Sequence, residues 1–129
     1  MIDLRKFMKR LVVKREGKFK RVYAEDSFKR GEIVLHLIGK EYTRPTRHTI
    51  QLDWNLHILD PIGKHIMHSL DNNVEVRDFN LRALYDINKG DEIKMNYYDN
   101  QEIIFTQFVD IETGELVCTK NNPKYGIEC

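Results

Sequence analysis

Short apolar runs separated by turn residues dominate this sequence and limit the folds open to it. In chain order the runs read RLVVKR, KRVYAE, EIVLHLI, HTIQLDW, LHIL, VEV, NLRALYD, EIKMNYY, IIFTQFV and ELVCT. They are rich in Val, Ile and aromatic residues, which favour β-strands, and glycine or proline separates many of them. Because helical stretches do not alternate with these runs, a parallel α/β sheet is not expected. The sequence predicts a mostly-β fold of small sheets with few short helices.

The length of 129 residues predicts a single domain with one modest core. No apolar run approaches the ~18 residues of a membrane-spanning helix, so no membrane partner is expected. The basic N-terminal residues lack the apolar stretch of a signal peptide, which predicts an intracellular protein, cytoplasmic or nuclear. Apolar residues recur at helical spacing over residues 4–11 and predict a short helix there. Cys118 and Cys129 are predicted to be free thiols.

The formal net charge of +1 is unevenly distributed along the chain. Residues 1–30 hold 11 Lys and Arg against 4 Asp and Glu, whereas residues 31–129 hold 10 against 16. The basic segment is interpreted first as a solvated face, and second as a surface for nucleic acid or an acidic partner. The acidic remainder suits a basic protein or peptide better than a phosphate backbone.

Two segments of the sequence echo one another. AEDSFKRGEIV (residues 24–34) and ALYDINKGDEI (residues 83–93) share an alanine, an apolar residue four positions later, a basic residue followed by Gly and an acid, and a closing apolar residue. Glycine reaches positive φ without a steric penalty, so Gly31 and Gly90 are predicted to lie in matched tight turns between strands.

The order of motifs around these turns resembles the SET domain, the fold of many protein-lysine methyltransferases. SET domains carry a Gly-x-Gly element with an alanine and a Gly-Glu turn, then Asn-His-Ser-Cys-x-Pro-Asn, then a block that ends in tyrosine. The corresponding stretches are VYAEDSFKRGE (22–32), MHSLDNN (67–73) and ALYDINKGDEIKMNY (83–97). The resemblance covers residues 12–100. It implies a single SET-like domain over residues 1–129, of the β-clip-like type with small curved sheets, in which residues 101–129 form a C-terminal cap segment.

The resemblance implies methylation of a protein lysine with S-adenosylmethionine as co-substrate. Methyl transfer is an in-line displacement, so the amine must arrive neutral and aligned, and little acid–base chemistry is required. A tyrosine hydroxyl can orient the amine, and Tyr97 matches the family's tyrosine. The residues expected at the cofactor, partly through their backbone groups, are Phe19, Lys20, Arg21, Met67, His68, Ser69 and Phe108.

Two of the three blocks depart from the family's pattern. Residues 19–21 read Phe-Lys-Arg where the family has Gly-x-Gly, and Met67 stands where the family has asparagine. A thioether cannot replace the hydrogen bonds of an amide, so Met67 is expected to weaken binding of the cofactor's polar end.

The C-terminal segment departs from the cysteine-rich zinc cap of many SET proteins. Its two cysteines lie eleven positions apart without a Cys-x-Cys motif, and the His65-x-x-His68 pair has no further ligand at convincing spacing, so no metal is predicted. The stretch DIETGELV (110–117) predicts a hairpin with Gly114 in its turn.

Two alternatives to the enzyme stay open on the sequence. The first is a catalytically degenerate SET-like module that binds a peptide or protein partner, which the altered motifs favour. The second is a nucleic-acid-binding β-domain that uses the basic N-terminal segment, whose affinity would fall steeply as salt rises.

Overall fold

The structure, a computed structural model, describes residues 10–46, 48–100 and 108–117. The strands are β1 (Leu11–Glu16), β2 (Phe19–Ala24), β3 (Ile33–His36), β4 (Lys40–Tyr42), β5 (Ile50–Asp53), β6 (Leu56–Leu59), β7 (Met67–His68), β8 (Val74–Arg77), β9 (Asn80–Ala83), β10 (Lys94–Met95), β11 (Phe108–Val109) and β12 (Leu116–Val117). The helical elements are a 3₁₀ helix at Gly63–His65 and a single turn, α1 (Tyr97–Asn100). The prediction of a mostly-β fold with few short helices is therefore confirmed.

The strands form small sheets that are mostly antiparallel. Two of them are two-stranded hairpins, β1–β2 and β11–β12. A third has three strands in the order β4–β6–β5. The largest has the order β3–β9–β8–β10–β7, in which β10 is parallel to both β7 and β8. Strand β10 thus lies between two strands that precede it in the chain, and the segment that joins β7 to β8 must pass around it.

The segment joining β7 to β8 is tied to β10 by backbone and side-chain hydrogen bonds. The N–H of Ser69 donates to the Met95 carbonyl at 3.1 Å, and the N–H of Asn73 donates to the Lys94 carbonyl at 3.1 Å. The buried Asn73 side chain accepts from the Lys94 N–H at 2.9 Å and donates to the Glu92 carbonyl at 2.8 Å. This segment is therefore fixed against the strand that leads into Tyr97.

The two echoing segments pair with each other about an approximate two-fold axis. Gly31 and Gly90 lie in turns between strands, with φ of +82° and +94°, as predicted. Equivalent atoms exchange equivalent hydrogen bonds: Gly31 N to Ala83 O (2.7 Å) and Gly90 N to Ala24 O (2.8 Å), with Phe28 and Ile87 bonded reciprocally at 2.8 Å. The repeat in the sequence is thus a repeat in the structure.

Apolar side chains from both repeats meet in one core. Its most buried members are Val22, Phe28, Ile66, Val74, Leu81, Ile87 and Ile93. Tyr97 packs against this cluster while remaining partly exposed. The Tyr97 side chain therefore packs against the core and also lines a cavity.

Several local predictions meet a different outcome. The strand predicted over residues 92–98 contains only β10, because Asn96 caps a helical turn: its side chain accepts from the Tyr98 N–H at 3.0 Å. Strands β4 and β7 were not predicted, whereas the 110–117 hairpin is present with Gly114 at φ +75°. The predicted N-terminal helix lies outside the described residues except for Leu11, which begins β1, and both cysteines also lie outside them.

Among the described residues, no helix has the length and apolar character needed to cross a membrane.

Candidate functional site

A cavity of about 530 Å³ opens beside Tyr97, within the size range of small-molecule sites. Its walls come from the β1–β2 hairpin, the segment before β5, the 3₁₀ helix with β7, the end of β10 and the β11 strand. Apolar side chains line its floor, among them Ile50, Ile66, Met67, Met95 and Phe108. The second and third sequence blocks therefore meet at one cavity, through Met67, His68, Met95 and Tyr97. The first block, residues 22–32, does not line it, although Phe19 and Lys20 just before that block do.

Tyr97 is held in the cavity wall at both its backbone and its hydroxyl. The hydroxyl donates to the carbonyl oxygen of Ile66, and the backbone N–H donates to Nδ1 of His68 at 3.0 Å. Burial raises the pKa of the Tyr97 phenol well above its ordinary value. The hydroxyl therefore stays protonated, donates one hydrogen bond, and keeps acceptor capacity on its oxygen.

His68 links Tyr97 to the C-terminal hairpin. Because its Nδ1 accepts from the Tyr97 N–H, the neutral ring carries its proton on Nε2. Nε2 faces Oδ2 of Asp110 at 3.7 Å, and both residues are almost fully buried. Burial lowers the pKa of His68, while the charges of Asp110, Glu112 and Asp99 oppose that effect. The imidazole is thus a neutral connector between the tyrosine and the hairpin.

Aromatic rings surround this connector. The His68 ring lies 5.1 Å from the Tyr97 ring and 6.0 Å from the Phe108 ring, centroid to centroid. Tyr97 and Phe108 meet edge to face at 5.9 Å, and Tyr98 presents its edge to His68 at 5.5 Å. Edge-to-face contacts at these distances are favourable and orient each ring. The cavity wall at Tyr97 is therefore an ordered aromatic cluster.

The carbonyl that receives the Tyr97 hydroxyl belongs to a segment fixed by Asp60. The Asp60 side chain is fully buried, and its Oδ1 accepts from the N–H groups of Ile62 and Gly63 at 2.8 Å each. Its Oδ2 accepts from the Ile38 N–H at 3.0 Å. A carboxylate that accepts several backbone hydrogen bonds holds a loop in one shape. Asp60 thereby sets the 3₁₀ helix that precedes Ile66.

Charged side chains around the cavity are segregated by sign. We call the first group the cationic side; it consists of Arg15, Lys18, Lys20 and Lys64, with the imidazoles of His48 and His65 beside them. The second group, the acidic side, consists of Asp110, which lines the cavity, and of Asp99 and Glu112, which do not line it but whose charges also act on His68. Glu112 also pairs with Lys94 at 3.4 Å. The cavity is therefore positive at the β1–β2 hairpin and 3₁₀ helix and negative around His68.

Five of the seven residues expected at the cofactor line this cavity together with Tyr97. They are Phe19, Lys20, Met67, His68 and Phe108. The two others lie elsewhere. Arg21 pairs with Glu92 at 3.1 Å and Glu16 at 3.6 Å, and Ser69 is buried with its hydroxyl accepting from the Asp71 N–H at 3.0 Å. The structure thus places five of these residues at one cavity with Tyr97 and the other two away from it.

Three residues that position Tyr97 and His68 were not predicted from the sequence: Asp60, Ile66 and Asp110. Asp60 precedes a proline in DPIGK, which reads as ordinary turn chemistry. Asp110 begins a predicted hairpin, and its contact with His68 joins positions far apart in the chain. Ile66 acts on Tyr97 through its backbone carbonyl, and no sequence pattern marks a carbonyl for such a role.

No protein-family model and no curated protein matches this chain. Within the part of the chain that the structure describes, no group of three or more His, Cys, Asp or Glu side chains is arranged to hold a metal ion.

Proposed function

We propose that this protein is an S-adenosylmethionine-dependent protein-lysine methyltransferase with a divergent SET-type fold. The observation that carries the proposal is the placement of Tyr97: its hydroxyl is fixed on the Ile66 carbonyl in the wall of a cavity that Met67 and His68 of the second block also line. The fold class, the matched turns at Gly31 and Gly90, and the passage of residues 69–73 around β10 are consistent with it.

The role of Tyr97 follows from its hydrogen bonding. Since the phenol donates its proton to a carbonyl, its oxygen can accept a hydrogen bond from a neutral substrate amine. Such a contact would orient the amine and direct its lone pair for in-line attack. The raised pKa of Tyr97 keeps the phenol neutral, so the residue acts by positioning and does not serve as a base.

The cavity residues fit the proposed co-substrate. S-adenosylmethionine would supply an electrophilic methyl group on a sulfonium sulfur. Phe19 and Phe108 offer aromatic faces for an adenine, and the apolar floor offers contact for its flat body. The cavity's volume and its mixture of apolar and charged lining match a ligand with a planar part and a polar end.

The acidic side suits the proposed substrate. Asp99, Asp110 and Glu112 place negative charge near His68, beside Tyr97. A basic peptide would be drawn toward this charge, and a lysine would be guided to the tyrosine. We therefore propose a basic protein segment as the substrate and an intracellular setting for the reaction.

One observation favours a second function, a catalytically inactive module that binds a peptide or partner. Met67 lines the cavity and offers only a thioether, which is a weak acceptor and no donor. A ligand group that would need an amide partner at this position loses about 1 kcal/mol. The two functions differ in turnover and in cofactor binding.

Methyl transfer from labelled S-adenosylmethionine to lysine-containing peptides tests the proposed function. The expected result is transfer to lysine in a basic peptide and less transfer in an acidic one. Tyr97→Phe removes the orienting hydroxyl and should lower kcat about 100-fold while cofactor affinity stays unchanged. Tyr98→Phe is the matched control, because Tyr98 does not line the cavity. Equal turnover in the two variants, or no transfer by folded protein saturated with cofactor, would contradict the proposal.

A further inference from the structure

We propose that the cationic side of the cavity is a binding site for an anionic group, carboxylate or phosphate, on a small ligand whose apolar part lies on the cavity floor. This goes beyond the proposed function, because such a site would hold an anion whether or not a methyl group is transferred. The supporting observations compare the Lys and Arg side chains that form ion pairs with carboxylates with those that do not.

Two cations of the β1–β2 hairpin do not line the cavity, and both have partners: Lys14 lies over the Tyr23 ring, 5.2 Å from its centroid, and Arg21 forms ion pairs. The ion-pair partners of Arg21 are Glu16 and Glu92. Lys18 and Lys20, which do line the cavity, are exposed and form no ion pair with any described residue. The same holds for Lys64 on the 3₁₀ helix. Three lysines without an ion pair to any described residue, Lys18, Lys20 and Lys64, therefore line the cavity.

These charges lie close enough together to act on one group. His65, on the same part of the lining, has its pKa lowered first by burial and then by the positive charges of Lys64 and Lys20. Like charges held together repel one another, and an anion placed among them would remove that repulsion. The acidic lining residue Asp110 faces the buried His68 instead. The region thus offers positive potential that no described carboxylate offsets.

Chemistry favours a small amphipathic ligand over a bare ion. Lysine ammonium groups donate to carboxylate or phosphate oxygens in any of several directions, and each exposed contact adds a few-fold in affinity. The apolar lining residues Ile50 and Ile66 offer a nonpolar contact surface to the planar apolar part of a ligand. An anion attached to such a part would satisfy both regions at once.

The test compares a Lys20→Gln/Lys64→Gln double variant with Lys14→Gln/Lys89→Gln, which removes the same number of charges at positions that do not line the cavity. The probes are inorganic pyrophosphate, S-adenosylhomocysteine and 5′-methylthioadenosine, which lacks the amino-acid end. All are titrated into the full chain by calorimetry, with folding checked by circular dichroism. The cavity variant should bind pyrophosphate about tenfold more weakly than the control variant, and raising salt should narrow the gap.

The nucleoside probes separate the two sources of the anion. Tighter binding of S-adenosylhomocysteine than of methylthioadenosine, by a ratio that shrinks in the cavity variant, supports a carboxylate site. Pyrophosphate binding with the same lysine dependence, but no nucleoside binding, supports a phosphate site and argues against the proposed methyl transfer. Equal losses in the two variants would overturn the inference, even if S-adenosylhomocysteine binds. So would lysine-dependent binding of a mixed-sequence oligonucleotide without binding of pyrophosphate or S-adenosylhomocysteine.

Discussion

At the scale of single residues, the cavity wall depends on a chain of contacts that runs from Asp110 to His68, to the backbone of Tyr97, and through its hydroxyl to Ile66. Each member restricts the next: the carboxylate faces the imidazole, and the imidazole accepts from the tyrosine backbone. Positioning by neighbours of this kind is what an aligned displacement requires.

Met67 gives a test of the cofactor's polar end at this scale. Met67→Asn introduces the amide found in the SET motif that Met67, His68 and Ser69 resemble, and Met67 lines the cavity. The new donor and acceptor should tighten S-adenosylmethionine binding by about 1 kcal/mol, roughly fivefold. Met67→Leu, which adds no polar atom, is the control and should leave the affinity unchanged. Calorimetric titration of both variants measures the difference, and equal affinities would contradict this placement of the cofactor.

His68 gives a pH dependence whose sign follows from its lowered pKa. In the unfolded chain a histidine titrates near pH ~6.5, so below that pH the unfolded state binds more protons than the folded state. The free energy of unfolding should therefore fall as pH drops below ~6.5, by up to about 1.4 kcal/mol per pH unit for this group. Urea unfolding at several pH values between ~5 and ~7.5 measures the slope. The slope should decrease in His68→Gln, and an unchanged slope would show that the imidazole is not buried in its neutral form.

At the scale of elements, the segment from Asp60 to Ile66 is the part of the site whose shape depends most on a single side chain. It contains a short 3₁₀ helix, which has few internal hydrogen bonds and relies on the Asp60 carboxylate for its shape. The Ile66 carbonyl at its end is the group that holds the Tyr97 hydroxyl. A change at Asp60 should therefore reach the tyrosine through the backbone.

Asp60→Ala tests this dependence on stability. The substitution leaves three backbone N–H groups without their acceptor, and should lower the free energy of unfolding by roughly 3 kcal/mol or more. Asp53→Ala is the matched control: Asp53 is exposed and accepts from Trp54 N–H, so its loss should cost at most about 1 kcal/mol. Urea denaturation of both variants decides the matter, and equal losses would mean that Asp60 does not fix the segment.

Elements and site differ in how far they could be predicted from the sequence. The turns at Gly31 and Gly90 were predictable, because a positive φ has a clear residue preference and the pattern occurs twice. The end of β10 at Met95 could not be predicted, because the alternating strand pattern of the sequence continues through Tyr98. In the structure, the Asn96 side chain caps a helical turn and ends the strand instead. The contact of Asp110 with His68 could not be predicted either, because tertiary packing across distant segments leaves no local pattern.

At the scale of the whole molecule, two repeats related by an approximate two-fold axis both contribute side chains to the core, and the cavity lies where the β1–β2 hairpin, the 3₁₀ helix, β10 and the C-terminal hairpin come together. Its charges are segregated, positive toward the β1–β2 hairpin and negative toward His68. This polarity suits an anionic ligand group at one part of the cavity and a basic substrate at the other.

The central claim is that the cavity beside Tyr97 binds S-adenosylmethionine as the methyl donor. Titration of S-adenosylmethionine into the purified full chain tests this claim most directly, because the proposed methyl transfer requires that binding. Isothermal calorimetry should show saturable binding of one molecule per chain, with a dissociation constant below ~1 mM. S-adenosylhomocysteine should compete for the same site. Circular dichroism in the same buffer establishes that the protein is folded. Absence of binding at ~1 mM ligand in folded protein would contradict the claim and leave the inactive peptide-binding module as the better description.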